Sequence, residues 1–240
     1  MIRFGIIGLG KIAGRFADDL KLHPEATLQA VASRTTKKAR SFAAQHDATT
    51  SYGSYDALFK DAQVDVVYIA TPNHLHYQNC MEALEAGKHV ICEKPFALDA
   101  AQVRKMINKA KSKKLFLMEA LWTRFIPATE KVLELIDQGT IGKTVSVRAD
   151  FGFPASQDPN GRLFNKSLGG GSLLDIGIYP LYLSYLLLGK PEAIDAEATM
   201  HYTGVDSHCH IELAYSDGQT AILESTFLET TPTEAIIEGS

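Results

Sequence analysis

The chain has 240 residues, of which 45% are hydrophobic and 22% charged, and its formal net charge at pH 7 is −4. This length and composition suit one large or two modest globular domains. The small negative charge excludes the basic footprint of a nucleic-acid-binding protein, and we find no apolar run of the roughly 18 residues that span a bilayer. We therefore expect a cytoplasmic protein with no nucleic-acid or membrane partner. The three cysteines, Cys80, Cys92 and Cys209, are expected to be reduced and structural.

The first predicted element is a buried strand that ends in a glycine turn. Its apolar run breaks into Gly8-Leu9-Gly10-Lys11-Ile12-Ala13-Gly14, and a helix follows whose predicted buried face carries Ile12, Phe16 and Leu20. Gly8 permits a tight bend, Gly10 permits close approach of a pyrophosphate, and Ala13 or Gly14 permits close packing of the helix. The helix N-terminus would face the phosphates. The alternative is a strand-to-helix turn that binds nothing.

The second predicted strand, Leu28 to Ala32, ends where a dinucleotide-binding fold meets the adenosine ribose. Ser33 and Arg34 follow it, with Lys37 and Lys38 close behind, where a protein preferring NAD usually has Asp or Glu. This composition favours NADP, because the cations suit a 2′-phosphate, and NAD is the less favoured cofactor. A merely hydrophilic turn remains the alternative.

A third named strand, Asp65 to Ala70, leads into the loop Thr71-Pro72-Asn73-His74-Leu75-His76 and a helix that stops at Gly87. The loop lies at the carboxyl edge of the predicted sheet, where open α/β folds bind ligands. The two histidines suggest a metal, but no third ligand has suitable spacing. We favour Asn73 as a helix cap and two loop histidines.

Two further strands complete the first half. Val90 to Cys92 is followed by Glu93-Lys94-Pro95-Phe96, which lies at the same edge of the predicted sheet. Leu115 to Ala120 is the last strand of this half, which we expect to contain six strands in all. Between them, Asp99 and Gln102 form a capping box that opens a helix. The pattern predicts an α/β chain whose residues 1–120 form a doubly wound Rossmann domain that binds a dinucleotide.

Residues 121–240 have a different pattern. Pro127 opens a helix that ends at Gly139, strands are predicted from Thr144, at 193–202 and at 208–227, and Asp217-Gly218 indicates a hairpin. This predicts an α+β domain with a mainly antiparallel open sheet, which would bind substrate and dimerise. His208, His210 and Glu212 share one strand face, where zinc is conceivable and a polar sheet face is favoured.

A helical run from about Ser172 to Leu188 follows the triple glycine and places Asp175 and Tyr179 on one face. Pro180 cannot donate to the carbonyl of Ile176, so the helix should kink or begin afresh there. A buried apolar helix that merely includes a tyrosine is the alternative. The last residues, 234–240, read as an unfinished strand, so we expect a truncated chain.

Five motifs in order give the sequence a specific resemblance. The chain resembles the glucose-fructose oxidoreductase / inositol dehydrogenase / MocA (Gfo/Idh/MocA) family, and within it the branch of dimeric dihydrodiol dehydrogenases and NADP-dependent D-xylose dehydrogenases. The motifs are the glycine turn, Ala70-Thr71-Pro72-Asn73-His74, Glu93-Lys94-Pro95, Met118-Glu119-Ala120-Leu121-Trp122 and Gly169-Gly170-Gly171-Ser172-Leu173-Leu174-Asp175-Ile176-Gly177-Ile178-Tyr179.

The resemblance implies roles for individual residues. Lys94 and Tyr179 would be the catalytic pair, assisted by Asp175. The cofactor would lie along Gly8, Gly10, Lys11, Ile12, Ser33, Arg34, Lys38, Thr71, Pro72, Asn73, His76, Glu93 and Lys94. Substrate would meet Trp122, Arg124 and Phe153, with Phe125 and Phe151 nearby, although core packing is the alternative for each and is favoured for Phe125.

The implied activity is NADP-dependent hydride transfer at a hydroxyl or carbonyl carbon of a sugar or trans-dihydrodiol, in a homodimer. An unperturbed tyrosine is about one part in a thousand ionised at pH 7. Making it a base takes about 4 kcal/mol, which an ammonium about 4 Å away supplies at an effective dielectric of about 20. Many family members have histidine at this position, so tyrosine puts sugar-acid and inositol substrates in doubt. The alternatives are an NADP-binding sensor without turnover and an NAD-dependent glycosidase-type elimination.

Overall fold

The computed structural model describes residues 1–240 and divides the chain into two compact units, residues 1–120 and 121–240. Each unit contains its own sheet, and each sheet packs its apolar side chains against helices of the same unit.

The first unit is a six-stranded parallel sheet with the strand order β3-β2-β1-β4-β5-β6. Mainly apolar segments of four to seven residues form its central strands, because both faces are covered by helices. The strands are β1 Ile2–Ile7, β2 Ala26–Ala32, β3 Thr50–Tyr52, β4 Val66–Ile69, β5 His89–Cys92 and β6 Leu117–Glu119; the helices are α1 Lys11–Leu20, α2 Thr36–His46, α3 Tyr55–Phe59, α4 His76–Glu85 and α5 Ala100–Lys113. This is the predicted α/β, doubly wound architecture.

Two details of the first unit differ from the sequence expectation. The short elements β3 and α3 were not located, because three- and five-residue elements carry almost no periodic signal. The predicted buried face of α1 is wrong at Ile12, which is 44% exposed, whereas Ala13, Ala17 and Leu20 are buried. The helix therefore packs on small side chains and leaves Ile12 at its open N-terminal end.

The second unit is a five-stranded mixed sheet with the order β11-β7-β10-β9-β8. Only the β7 and β10 pair is parallel, and the other pairs are antiparallel. The strands are β7 Thr144–Gly152, β8 Ala193–Met200, β9 Asp206–Ala214, β10 Thr220–Thr226 and β11 Ala235–Gly239; the helices are α6 Pro127–Asp137 and α7 Ile178–Leu188.

The predicted hairpin joins β9 to β10, and Gly218 in its turn has a φ of 81°. The predicted polar face of β9 is confirmed, because Cys209, Ile211 and Leu213 are buried while the alternating residues are not. On that polar face His208 contacts Glu224 at 2.9 Å and His210 contacts Glu212 at 3.3 Å.

One stretch, Lys166–Leu188, is long and apolar enough to cross a membrane by length and composition alone. The sequence analysis found no such stretch. Leu173, Leu183, Leu187 and Leu188 from this region pack against the buried core of the second sheet. Its apolar character thus serves packing, as in the core helix of a soluble α/β protein.

Candidate active site

The glycine turn after β1 has space for a ligand at one glycine and none at the other. Gly8 has a φ of 79°, and a Cβ built there would lie 2.3 Å from the carbonyl carbon of Ala70. At Gly10 the nearest heavy atom to such a Cβ is the Gly8 oxygen at 3.9 Å, which is ordinary contact. The protein's own packing therefore requires a glycine at position 8 but not at position 10, where the open space suits a close-lying phosphate group.

The N-terminus of α1 adds donors at the same place. Its N-cap is Gly10, which has no side chain to bond the free N–H groups of the first turn. Lys11 and Ile12 are exposed beside it. These groups fit the pyrophosphate of a dinucleotide, because helix N–H groups and the helix dipole both favour an anion.

A groove of about 520 Å³ lies beside this turn, between α1 and α2. Gly10, Lys11 and Lys38 line it, as predicted cofactor residues, together with Arg15, which the sequence analysis did not single out. Arg15 is one helical turn after Lys11 on the same helix, so the two cations lie on one helix face. This spacing could have identified Arg15 from the sequence as a residue of the groove.

The end of β2 presents cations and no carboxylate. Ser33 is buried, and its N–H donates to the carbonyl of Tyr52 at 3.2 Å, whereas Arg34 and Lys38 are exposed. Burial raises the pKa of Tyr55, and the charge of Arg34 partly opposes this shift. Arg34 thus lies near a half-buried aromatic ring at the place where the fold meets a ribose.

The loop after β4 is organised by His76, which was predicted to be a loop residue. That prediction is wrong: His76 is the first residue of α4 and is fully buried. Its Nε2 lies 2.7 Å from the carbonyl oxygen of Thr71, and its Nδ1 lies 2.8 Å from that of Pro95. Burial lowers the pKa of His76. Because both ring nitrogens face backbone carbonyls, this side chain holds the two loops together.

The predicted cap at Asn73 is also wrong. Asn73 begins a 3₁₀ turn, Asn73–Leu75, and the N-cap of α4 is Leu75, which makes no side-chain cap. Thr71 is buried and accepts a hydrogen bond from the Asn79 side chain at 2.9 Å. The Nδ1 atom of His74 is buried without a hydrogen-bond partner in the protein. Pro72 lies between Thr71 and Asn73 in the loop that follows β4.

The turn after β5 carries Lys94, which is joined to Pro95 by a cis peptide bond. The Tyr68 hydroxyl donates to Oε1 of Glu93, and the Lys94 N–H donates to Oε2 of Glu93 at 3.3 Å. Burial raises the pKa of Glu93, while its bond with Tyr68 and the Lys94 charge act in the opposite direction. A charged residue pair is thereby held in partly buried surroundings at the sheet edge.

All three loops meet at one edge of the first sheet. β1, β4 and β5 are adjacent and parallel, so Gly8, Thr71 and Glu93 follow the carboxyl ends of neighbouring strands. This is the edge at which open α/β sheets bind ligands.

In the second unit a π turn, Leu173–Gly177, leads into α7. The predicted fresh start of the helix is confirmed, because α7 begins at Ile178 and Pro180 falls in its first turn. A π turn is rare and often marks a functional site. Asp206 fixes the start of the turn, accepting from the Ser172 hydroxyl and the Leu173 N–H, each at 2.7 Å.

Asp175 and Tyr179 lie on this segment. Asp175 is buried and accepts from Arg162 Nη1 at 2.8 Å, an ion pair that the sequence analysis missed. Tyr179 is partly buried, with its ring 5.6 Å from the Phe151 ring. Phe153 packs against Phe227 at a ring distance of 5.6 Å.

The remaining predicted substrate residues lie on a 3₁₀ turn, Trp122–Phe125. Trp122 is 63% exposed and Phe125 is 59% exposed, while Arg124 is half-buried. Core packing, the favoured interpretation for Phe125, is therefore wrong. The turn instead presents two large aromatic side chains on the surface of its unit.

Comparison with known families gives two matches along the chain. Residues 2–121 match the model described as the GFO/IDH/MocA oxidoreductase family, NAD-binding Rossmann fold. Residues 129–240 match the GFO/IDH/MocA C-terminal domain.

Individual proteins resemble the chain over nearly its whole length. It is 40% identical over 243 residues to a trans-1,2-dihydrobenzene-1,2-diol dehydrogenase of Mus musculus, covering 100% of this chain and 72% of that protein. A 3-ketoreductase from Actinomadura kijaniata, solved with NADP and TDP-benzene, has a TM-score of 0.90 and 31% identity, covering 100% of this chain and 74% of its own. A levoglucosan dehydrogenase, solved with NADH and levoglucosan, has a TM-score of 0.90 and 26% identity, with coverages of 99% and 71%.

Proposed function

We propose a cofactor, a catalytic pair and a substrate class for this chain, which belongs to the Gfo/Idh/MocA family. The protein is an oxidoreductase that acts on CH–OH groups, and its Rossmann domain binds a nicotinamide cofactor. It uses NADP and interconverts a hydroxyl and a carbonyl carbon of a sugar or a trans-dihydrodiol. Lys94 and Tyr179 form its acid/base pair. The observation that carries the proposal is the placement of Lys94 at the sheet edge that also bears the open Gly10 turn.

Bound NADP supplies the hydride acceptor for oxidation and, as NADPH, the donor for reduction. Gly10 and the N-terminus of α1 would hold the pyrophosphate, and Thr71, Asn73 and Glu93 would hold the nicotinamide end. His76 keeps the two loops of this border in place through the Thr71 and Pro95 carbonyls.

Tyr179 moves the proton. In oxidation its phenolate oxygen accepts the substrate hydroxyl proton, and in reduction its hydroxyl donates a proton to the developing alkoxide. The Lys94 ammonium stabilises the phenolate electrostatically, which supplies the help that a tyrosine needs near neutral pH. Asp175, held by Arg162, orients substrate hydroxyl groups.

The substrate class follows from the relatives and from the aromatic residues of the second unit. The mouse relative is named for a dihydrodiol, and the solved levoglucosan dehydrogenase holds an anhydrosugar. Trp122 and Phe153 offer apolar ring faces, and Arg124 offers hydrogen-bond donors. Such a set suits a ring that carries vicinal hydroxyl groups. We also place the protein in the cytoplasm and propose a homodimer formed through the second sheet.

The assay that tests the reaction class measures NADP⁺ reduction with D-xylose, D-glucose and a trans-dihydrodiol, and NADPH oxidation with a 1,5-anhydroketose. NAD⁺ is run in parallel. We expect turnover with NADP⁺ on at least one substrate. NADPH binding without turnover on any of them would contradict the proposal and favour a sensor.

Arg34 tests the cofactor preference. In Arg34→Ser the 2′-phosphate loses a charged donor, so the ratio of kcat/KM for NADP⁺ to that for NAD⁺ should fall by roughly tenfold or more. Arg40→Ser removes an exposed cation from the same helical region as a matched control. An unchanged ratio in Arg34→Ser would rule out this assignment.

A further inference from the structure

The backbone around Lys94 is held by three side chains. Glu93, the residue after β5, accepts the Lys94 N–H, and His76 of α4 lies against the Pro95 carbonyl. The third is Glu119, the last residue of β6, whose Oε1 accepts the Phe96 N–H at 2.9 Å. The polar groups of this turn are therefore fixed on both sides of Lys94.

Glu119 reaches the turn because of the strand register. Cys92 lies beside Glu119 in the pairing of β5 with β6, and the Ala120 N–H donates to the Cys92 carbonyl at 2.7 Å. This register brings the end of β6 level with the end of β5, next to the residues that carry Lys94. No role was assigned to Glu119 from the sequence beyond its place in a family motif.

The charges around Glu119 are close enough to affect its ionisation. Burial raises the pKa of Glu119, the Phe96 N–H lowers it, the Glu93 charge raises it further, and the Lys94 charge lowers it. Glu93 and Lys94 lie on the neighbouring turn, with the Cys92 thiol and, through Glu93, the Tyr68 hydroxyl adjoining them. One ammonium thus faces two partly buried carboxyl groups that disfavour each other's ionised form.

We propose that Glu119 is a positioning residue for Lys94: its side-chain oxygen accepts the Phe96 N–H and thereby fixes the Lys94–Phe96 turn. The inference rests on the proposed catalytic role of Lys94. A charge is not needed for this role, because a neutral amide oxygen accepts the same hydrogen bond.

Two substitutions separate the hydrogen bond from the charge. In Glu119→Gln the amide oxygen can still accept the Phe96 N–H, but the charge is gone. We expect kcat within about threefold of wild type, because the hydrogen bond that positions the turn is kept. In Glu119→Ala the Phe96 N–H also loses its partner, and displacement of the turn should lower kcat by about 100-fold.

Glu85→Gln is the matched control, because Glu85 is an exposed carboxylate of the same unit that pairs with Lys109 and Lys113. Its kcat should equal that of wild type. The NADPH affinity of Glu119→Gln should also equal that of wild type, because the glycine turn and the α1 N-terminus are unaltered.

Lys94→Ala, measured alongside, distinguishes the two ways to fail. Full activity in Lys94→Ala would overturn the proposed function itself. An inactive Lys94→Ala together with kcat close to wild type in Glu119→Ala would overturn only the role of Glu119. If Glu119→Ala fails to fold, Glu119→Met replaces it, because methionine keeps the side-chain length but offers only a weak acceptor. A kcat far below that of Glu119→Gln supports the proposal, and a kcat equal to it overturns the proposal.

Discussion

The turn that carries Lys94 and the π turn that precedes Tyr179 are held in different ways. The Lys94 turn is held by His76, Glu93 and Glu119, which are all buried or half-buried. The π turn before Tyr179 is fixed at its start by Asp206, while its buried Asp175 is paired with Arg162. That Arg162 side chain is 64% exposed.

The two kinds of contact differ in the free energy that is lost when one partner is removed. Hydrogen bonds to backbone groups in a buried turn cost free energy when one partner is removed, because the other is left without water. An ion pair with one exposed partner is screened by solvent and salt, so its loss is milder. We therefore expect the Lys94 turn to depend on buried hydrogen bonds to its backbone, and the Asp175–Arg162 pair of the π turn to depend on salt.

The largest expected effect is on turnover in Tyr179→Phe. Removing the phenol oxygen removes the proton acceptor, so kcat should fall by about 1,000-fold, within the range for general acid–base catalysis. NADPH affinity, measured by fluorescence titration, should stay within about threefold of wild type. Turnover close to wild type would show that Tyr179 is not the group that accepts the proton.

Next is the stability of His76→Ala. The substitution leaves the carbonyls of Thr71 and Pro95 without their buried partner and opens a cavity, so the free energy of unfolding should fall by about 2–4 kcal/mol. Urea denaturation measures this. His23→Ala, at an exposed histidine, serves as the control and should change stability by less than about 0.5 kcal/mol. A similar small effect in His76→Ala would mean that the Lys94 turn is not held as described.

A smaller effect is expected in Arg162→Ala. Because most of this side chain is in solvent, loss of the ion pair with Asp175 should reduce the free energy of unfolding by about 1 kcal/mol. High salt should reduce the difference between variant and wild type. A loss as large as that of His76→Ala would contradict the contrast between the two turns.

The smallest effect concerns the pH dependence of stability. Burial raises the pKa of both Glu93 and Glu119, so the folded state holds more protons than the unfolded state above the ordinary glutamate range. The free energy of unfolding should then fall as pH rises from about 4 through the raised values. In Glu119→Gln this fall should be shallower, and chemical denaturation at several pH values measures it. Parallel curves for the two proteins would contradict the assignment.

The features that the sequence could reveal are those with a local physical cause. The strand before Gly8 carries the apolar residues Phe4, Ile6 and Ile7, all buried. The helix cap at Asp99 accepts the Gln102 N–H at 2.8 Å as the capping box predicts. Pro180 predicts the break between the π turn and α7, because proline lacks the N–H that a continuous helix needs. Each signal lies within a few residues of the structure that it predicts.

The features that were missed depend on partners far along the chain. His76 is buried because the carbonyls of Thr71 and Pro95 receive it, and Pro95 is 19 residues away. Glu119 reaches Phe96 only through the register of β5 and β6. The exposure of Phe125 likewise depends on which surface its 3₁₀ turn presents, which no local pattern specifies.

The central claim, hydride transfer between the nicotinamide and a substrate carbon, is tested most directly by isotope transfer. The enzyme is given NADPH carrying two deuterium atoms at C4 of the nicotinamide, together with a carbonyl substrate that it reduces, and the product is analysed by mass spectrometry and NMR. We expect one deuterium per turnover on the new carbinol carbon and a proton from solvent on its oxygen. Product without deuterium, or turnover that leaves NADPH unconsumed, would contradict the account and favour elimination chemistry.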